Sequence, residues 1–442
     1  MGLLALQRLV SLQRDRQRRN RPLNGGSIAS VDKGRGSPCQ HDACGDSQAA
    51  KRMMCSIPAL PEDILHHIHS LLPFRDPARA ACSSRAFLHS WRCRPILTLN
   101  RHILGSNANA PQESFSCRID NILRNHSGIG IKIFVLELYG IFDACHYLDR
   151  WLQIAVTPGI EKLTLQLCHR DNMKYNVPCT LLSDGVRNSI QCLQLSLCAF
   201  HPTAELGPLR KLTSLCLRSV RISGDELEYF LSNSPALKQL DLSDCQEIMC
   251  LKIPCVLLQL HCLKVSYCWK LRVIESKARN LFSFILIGER VKVSLGETMQ
   301  MKNLCMKLAG VVCYARTELP SNMPNLETVS IGSHRERVNT PMLPTKFLFL
   351  KRLAITLKCC PSYDYFSLVS FLDGSPSLET WLLDVGQESM DQASIFGGSS
   401  QLRQIPEQHH DHLKSVKIKG FSSAKSLVEL LNMLYSQERE VT

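Results

Sequence analysis

The chain has 442 residues, 45% hydrophobic and 21% charged, a balance that excludes a disordered chain and allows a sizeable core. Its formal net charge of +13 raises nucleic acid as a partner, but residues 1–52 alone hold ten Lys/Arg against four Asp/Glu. The remaining excess is spread thinly, with little aromatic interleaving, and no apolar run approaches the roughly 18 residues that span a bilayer.

Residues 1–55 read as a disordered basic arm and linker. "MGLLALQRLVSLQRDRQRRNRP" is broken by Arg8 and Arg14, which does not suit a secretory signal. A basic amphipathic transit peptide and a nuclear address at Arg14–Arg21 stay open beside the plainer reading of a solvated arm. Residues 22–50 are rich in Gly, Ser, Asp and Asn without apolar period. Cys39, His41 and Cys44 are too few for a metal site.

Order is expected from residue 56. Pro61 suits a first helical turn, where its missing N–H costs nothing, and Glu62 and Asp63 complement the positive helix start. Ile64, Leu65, Ile68, Leu71 and Leu72 then fall on one helical face until Pro73 stops it. Asp76–Pro77 starts a second helix, and Ser83 or Ser84 caps a third that carries Phe87, Leu88 and Trp91. A unit of this size buries few side chains, each contributing roughly 1.5–3 kcal/mol, so it gains from resting on a partner. A cap belonging wholly to the next domain is the alternative reading.

"LPEDILHHIHSLLPFRDPARAACSSRAFLHSWR" resembles an F-box, with Leu60, Pro61, Ile64, Leu65, Ile68, Leu72, Asp76, Arg79, Ser84, Arg85 and Trp91 at the family's positions. The resemblance assigns residues 56–100 to an F-box and implies a Skp-type adaptor, and through it a cullin ubiquitin ligase, as partner. The adaptor-binding residues it implies are Leu60, Pro61, Ile64, Leu65, Ile68, Leu71, Leu72 and Trp91.

After a connecting segment or N-terminal cap at 101–130, the period changes. An apolar residue, another three on and a third two beyond it recur twelve times, from Ile133/Leu136/Leu138 to Leu413/Val416/Ile418. The spacing averages about 25 residues, inside the leucine-rich-repeat range of 20–29. In "KQLDLSD" alternation sends Leu240 and Leu242 inward and Gln239, Asp241 and Ser243 outward. One strand cannot bury its inner face alone, so neighbours stack in parallel. The fold class is therefore α/β: a short three-helix F-box, then a solenoid of about 12 irregular repeats over 131–421. Helical returns are expected, as in "GDELEYFLSNSPAL", with Leu227, Phe230 and Leu231 at helical spacing. Residues 422–442 make a short C-terminal helix or tail, an incomplete cap.

Cys168, Cys198, Cys245 and Cys268 each come three residues after the strand's last apolar position, where repeats of this type accept a small side chain under the turn. With 21 scattered cysteines and no paired C-x-x-C framework, a reducing compartment, nucleus or cytoplasm, and mostly buried free thiols are expected. "HHIH" (66–69) reads as a solvated helix face, and neither "HHDH" (409–412) nor Cys359–Cys360 needs special chemistry. "LDRWLQIAVTPGIEKLTL", "MPNLETVSI" and "SLVSFLDGSPSLETWLLDV" are similar to segments of plant F-box/leucine-rich-repeat proteins with FBD-like C-terminal regions, the cereal-type family.

No phosphate loop, nucleophile elbow or His-Glu-x-x-His helix occurs, so a non-catalytic protein without cofactor is expected. The candidate target-binding residues are the outward strand positions Glu137, Lys162, Thr164, Gln166, Gln194, Arg218, Gln239, Asp241 and Lys264. Their mixed charge suits an unidentified protein target better than a phosphate track, which argues against nucleic acid. A ligase-independent scaffold and a regulator acting through the basic arm remain the alternatives.

Overall fold

Alternating apolar side chains build the strands, and the spacing between strands decides how the chain returns from one to the next. The computed structural model describes residues 61–71, 82, 85–104, 112–126, 130–138, 145–168, 175–203, 205–296, 299–336, 338–358, 363–386, 403, 410–420 and 424–438. All of them belong to one unit, Leu60–Thr442. The basic arm, the three candidate ligands Cys39, His41 and Cys44, and Cys359–Cys360 lie outside the described residues.

Two helices open this unit, α1 (Glu62–Leu71) and α2 (Arg85–Arg92), and they pack against each other. Pro61 stands immediately before the first. The short helix expected at Asp76–Pro77 lies outside the described residues. Strand β1 (Ile96–Leu99), α3 (Arg101–Leu104) and α4 (Gln112–Asn125) lead into β2 (Ile133–Glu137). Beyond it come α5 (Cys145–Ala155), β3 (Lys162–Gln166), α6 (Asp184–Arg187), β4 (Cys192–Ser196), β5 (Ser214–Arg218), α7 (Gly224–Ser232) and β6 (Gln239–Ser243). Five short strands follow: β7 (Cys250–Ile253), β8 (Cys262–Ser266), β9 (Val273–Ser276), β10 (Ser283–Ile287) and β11 (Lys292–Ser294). The rest is β12 (Asn303–Lys307), α8 (Val311–Asn322), β13 (Thr328–Ser333), β14 (Arg352–Leu357), α9 (Val369–Asp373), β15 (Thr380–Val385), β16 (Ser415–Lys419) and α10 (Lys425–Glu438).

Thirteen of these strands form one parallel sheet in chain order, with β7, β9 and β11 set apart in a second parallel sheet of three. Eleven of the twelve expected strand patterns fall in the expected register, for example Leu240↔Leu263 and Leu242↔Val265. The first does not. Phe134 and Leu136 pair with Leu163 and Leu165, so the triplet there is Ile131/Phe134/Leu136 rather than Ile133/Leu136/Leu138. Both readings turn Leu136 inward; Ile131 and Ile133 each fit the first position, so the triplet can slide by two residues until the neighbouring strand is seen. A further strand, β1, pairs Leu97 and Leu99 with Phe134 and Leu136, inside the segment that the sequence assigns to the helical module.

Return geometry follows repeat length. From β5 to β6 the return is α7, whose Leu227, Phe230 and Leu231 are fully buried and whose start is a reciprocal cap. Ser223 Oγ accepts the Glu226 amide at 3.2 Å, and the Glu226 carboxylate accepts the Ser223 amide at 2.7 Å. Between β6 and β12 the repeats are short, 20–23 residues, and β7, β9 and β11 replace helices. An extended segment advances about 3.3 Å per residue against 1.5 Å in a helix, so a strand crosses the repeat with fewer residues.

Five successive strands end on a left-handed residue: Leu197, Ser219, Asp244 and Tyr267 at φ 51–59°, then Gly288 at 137°. The turn is held by its own amide ladder. Leu197 N donates to Arg218 O (2.9 Å), Ser219 N to Ser243 O (2.7 Å), Asp244 N to Ser266 O (2.8 Å) and Tyr267 N to Ile287 O (2.7 Å). Cys198, Cys245 and Cys268 come next and are buried under the turn; Cys168 is half-buried. Contact with Cys268 and burial push the Cys245 thiol well above its ordinary range. All fifteen cysteines whose side chains are described are free, but nine are half-buried, three buried and three exposed. The expectation of mostly buried thiols is thus corrected, because many sit on the outward side of strands, where neighbours cover them only in part.

The C-terminal helix α10 packs on the 3₁₀ turn at Tyr365–Leu368 and buries Leu427 and Leu430. Glu429, 3% exposed, faces the Arg403 guanidinium.

Candidate protein-interaction surfaces

Strand alternation sorts the outward side chains of the large sheet into three rows. The register aligns Lys162, Cys192, Ser214, Gln239 and Cys262 in the first. The second aligns Thr164, Gln194, Cys216, Asp241 and Lys264, and the third Glu137, Gln166, Ser196, Arg218, Ser243 and Ser266. All nine outward residues expected from the sequence therefore stand on one face. Eight of them are partly or fully exposed; Arg218 and Gln239 are the most open, and Glu137 also accepts the Asn100 side-chain amide at 3.0 Å. Thr164 is the departure: it is 3% exposed and its hydroxyl donates to Gln194 at 3.3 Å, so it supports the face from below.

In the second row Lys264 Nζ lies 2.8 Å from Asp241 Oδ2, which fixes both side chains across adjacent strands. Cys216 stands beside that pair, and burial, helped by the Asp241 charge, raises its thiol pKa. Burial likewise raises that of Cys262. Sequence reasoning passed over Cys192, Cys216, Cys262 and Cys305, although the same pattern places Cys216 between inward Leu215 and Leu217.

From β10 onward the face changes character. The second row continues through Ile285, Cys305, Ser330, Ala354 and Leu382, a small and apolar floor. The cations beside it include Lys307 and Arg352, whose guanidinium donates to the Thr328 hydroxyl at 3.2 Å. At the rim, Tyr267 (49% exposed) and Trp269 (48%) stand with ring centroids 5.9 Å apart.

The second surface is the helical module. Pro61 is exposed, Ile64 is 43% and Leu71 71% exposed, and Ile68 is half-buried. Leu60 and Leu72 and the side chain of Leu65 lie outside the described residues. Trp91 is buried, its indole enclosed by the chain rather than offered to a partner. Of the expected ridge, the described side chains that reach the surface are Pro61, Ile64, Ile68 and Leu71.

Among the described residues no group of three or more His, Cys, Asp or Glu is placed to hold a metal, His410 and His412 included. No helix among them is long and apolar enough to cross a membrane.

A thirteen-strand parallel sheet with an inward leucine ladder is the arrangement that leucine-rich repeats build. Residues 122–440 match the family described as "At1g61320/AtMIF1, LRR domain". The chain belongs to this leucine-rich-repeat family. The repeat protein is also similar to F-box/FBD/LRR-repeat protein At1g13570 of Arabidopsis thaliana, 27% identical over 187 residues, which is 42% of this chain and 43% of that protein. F-box/LRR-repeat protein At5g02910 of the same plant is 25% identical over 199 residues, 45% of this chain and 40% of its own length. The chain thus spans about two fifths of the length of these relatives. The resemblance to plant F-box/leucine-rich-repeat proteins read from the sequence agrees with these names.

Proposed function

We propose that this leucine-rich-repeat protein is a non-catalytic substrate receptor of a Skp-cullin-F-box type ubiquitin ligase, in the nucleus or cytoplasm. Helix α1 meets the adaptor, and the outward face of the repeats holds the protein to be modified. The observation that carries the reading is the exposure of Ile64 and Leu71 on one helix of a chain whose relatives are named F-box/LRR-repeat proteins. Exposed large aliphatic side chains on a small helical pair are stabilised by covering them, and a partner supplies that cover. The mechanism is proximity: tethering raises the effective concentration of target at the ligase, and no residue of this chain makes the bond.

The test is recovery of a Skp-type adaptor on the full chain, wild type against Leu60→Asp/Pro61→Ala. The reading expects recovery on wild type and its loss in the variant. Equal recovery removes it in favour of a ligase-independent scaffold.

A further inference from the structure

The left-handed residues at the strand ends are not equivalent. Such a conformation favours glycine, and Gly288 supplies it in the fifth of the series. Elsewhere the side chain is used within the chain: Leu197 is half-buried, and Ser219 Oγ donates to Asp244 Oδ2 at 2.6 Å. Tyr267 (φ 56°) differs, because it is 49% exposed and its ring neighbours the equally exposed Trp269. A bulky residue at positive φ is a backbone outlier, held here by bonds to its backbone alone: Tyr267 N donates to Ile287 O at 2.7 Å, and the Gln246 side-chain amide donates to Tyr267 O at 3.1 Å. Tyrosine and tryptophan are the side chains that most often anchor protein interfaces.

Charge around the pair is one-sided. Two nearby carboxylates are neutralised, Asp241 by Lys264 and Glu247 by Arg221 at 2.8 Å, while Asp244 is held by the neutral Ser219 and Gln246 and keeps its charge. Among the described residues Lys270, Arg290 and Lys307 have no carboxylate partner, and Asp244 and Glu289 together offset only part of that charge. Ser266, directly before Tyr267, lies in register with Ile287 and Lys307. A path of about 10 Å across three strands thus joins the aromatic rim to an uncompensated cation.

We propose that Tyr267 and Trp269 anchor an acidic, extended segment of a partner protein, which runs from this rim over Ile287 to Lys307. The proposal builds on the reading of the outward face as the capture surface and names the chemistry captured.

A phage-displayed library of random twelve-residue peptides, panned on the full chain, tests this. The enriched peptide is then synthesised with fluorescein and titrated by anisotropy. The expected peptide is net negative, and its affinity falls at least tenfold in Tyr267→Gly and in Trp269→Ala. It falls several-fold in Lys307→Glu and stays within twofold in Lys162→Ala, at the other end of the face. Tyr267→Gly relieves the backbone, so its melting temperature stays at or above that of wild type while binding is lost, which separates recognition from folding. Peptides without acidic bias, no enriched peptide, or binding unchanged in Tyr267→Gly overturns the site. Wild type that selects such peptides yet fails to hold the adaptor overturns the ligase reading alone; wild type that holds the adaptor, with peptides indifferent to Tyr267, overturns only this site.

Discussion

Arg403 Nε lies 2.7 Å from Glu429 Oε2, while the other side of the same guanidinium meets Asp364 Oδ1 and Oδ2 at 2.7 and 2.8 Å. The ring of Phe366 lies beneath it, 4.4 Å from the guanidinium carbon. One planar cation therefore ties α10 to the 3₁₀ turn, and Asp364 first, then Glu429, raise its pKa above the usual arginine range. Arg403→Ala leaves the buried Glu429 carboxylate without this partner. Loss of one member of a buried charge pair costs roughly 3–5 kcal/mol. The exposed Asp364 side of the clamp adds less, because solvent screens it. Amide exchange over Lys425–Glu438 is expected to accelerate strongly in the variant, with the central strands unaffected.

Arg316 is a second arginine committed to structure. It is fully buried, with Nε donating to Ser370 O at 2.8 Å, Nη2 to Leu343 O at 2.7 Å and Nη1 to Thr345 Oγ1 at 3.2 Å. These bonds join α8 to α9 and to the loop before β14. Arg316→Leu keeps apolar volume but orphans the acceptors, at a cost on the order of 3 kcal/mol. A lower melting temperature for Arg316→Leu, with Arg316→Lys between it and wild type, is the expected result.

His126 gives the fold an acid limit. Its Nε2 donates to Arg94 O at 3.0 Å, and burial lowers its pKa more than that bond raises it. A histidine whose folded pKa lies below the unfolded value of about 6.5 contributes stability that is complete above that pH. The contribution is lost as pH falls through about 6.5 toward the folded value. His126→Gln retains an N–H donor without the titration, so its drop in melting temperature between pH 7.5 and 5.5 is expected to be smaller than that of wild type.

Thiol reactivity reports the repeat geometry. Cys82, Cys117 and Cys255 are exposed, whereas Cys198, Cys245 and Cys268 lie under the strand-end turns. Iodoacetamide at neutral pH is expected to label the first three earliest and the buried three last. Cys216 and Cys262, although on the outward face, label slowly because burial keeps their thiols protonated. Peptide mass spectrometry against time gives the order.

What the sequence made legible is what repeats. Leu240/Leu242 and the patterns after it carry the period-2 alternation and a 20–35-residue spacing, and both survive into the sheet. The failures have physical reasons. At Ile131–Leu138 the apolar triplet fits at two positions two residues apart, so only pairing with Leu163 and Leu165 fixes the register. Strand β1 is four residues long and follows a helix directly, too short to show a period. The strand returns β7, β9 and β11 follow from short repeats rather than from local propensity. On the outward face, the charged positions were visible but Cys216 and Tyr267 were not, since attention to polar residues passes over thiols and aromatic rings. Arg403 and Glu429 are 26 residues apart and carry no pattern at all.

The bridging role stands or falls with α1. Calorimetric titration of a Skp-type adaptor into the full chain, wild type and Ile64→Asp/Leu71→Asp, tests it most directly. Both side chains are exposed, so the double variant keeps the wild-type melting temperature. The account predicts binding by wild type and a loss of about a hundredfold or more in the variant, the scale of two interface anchors. Adaptor binding of equal affinity in the two proteins, or none in wild type, contradicts it.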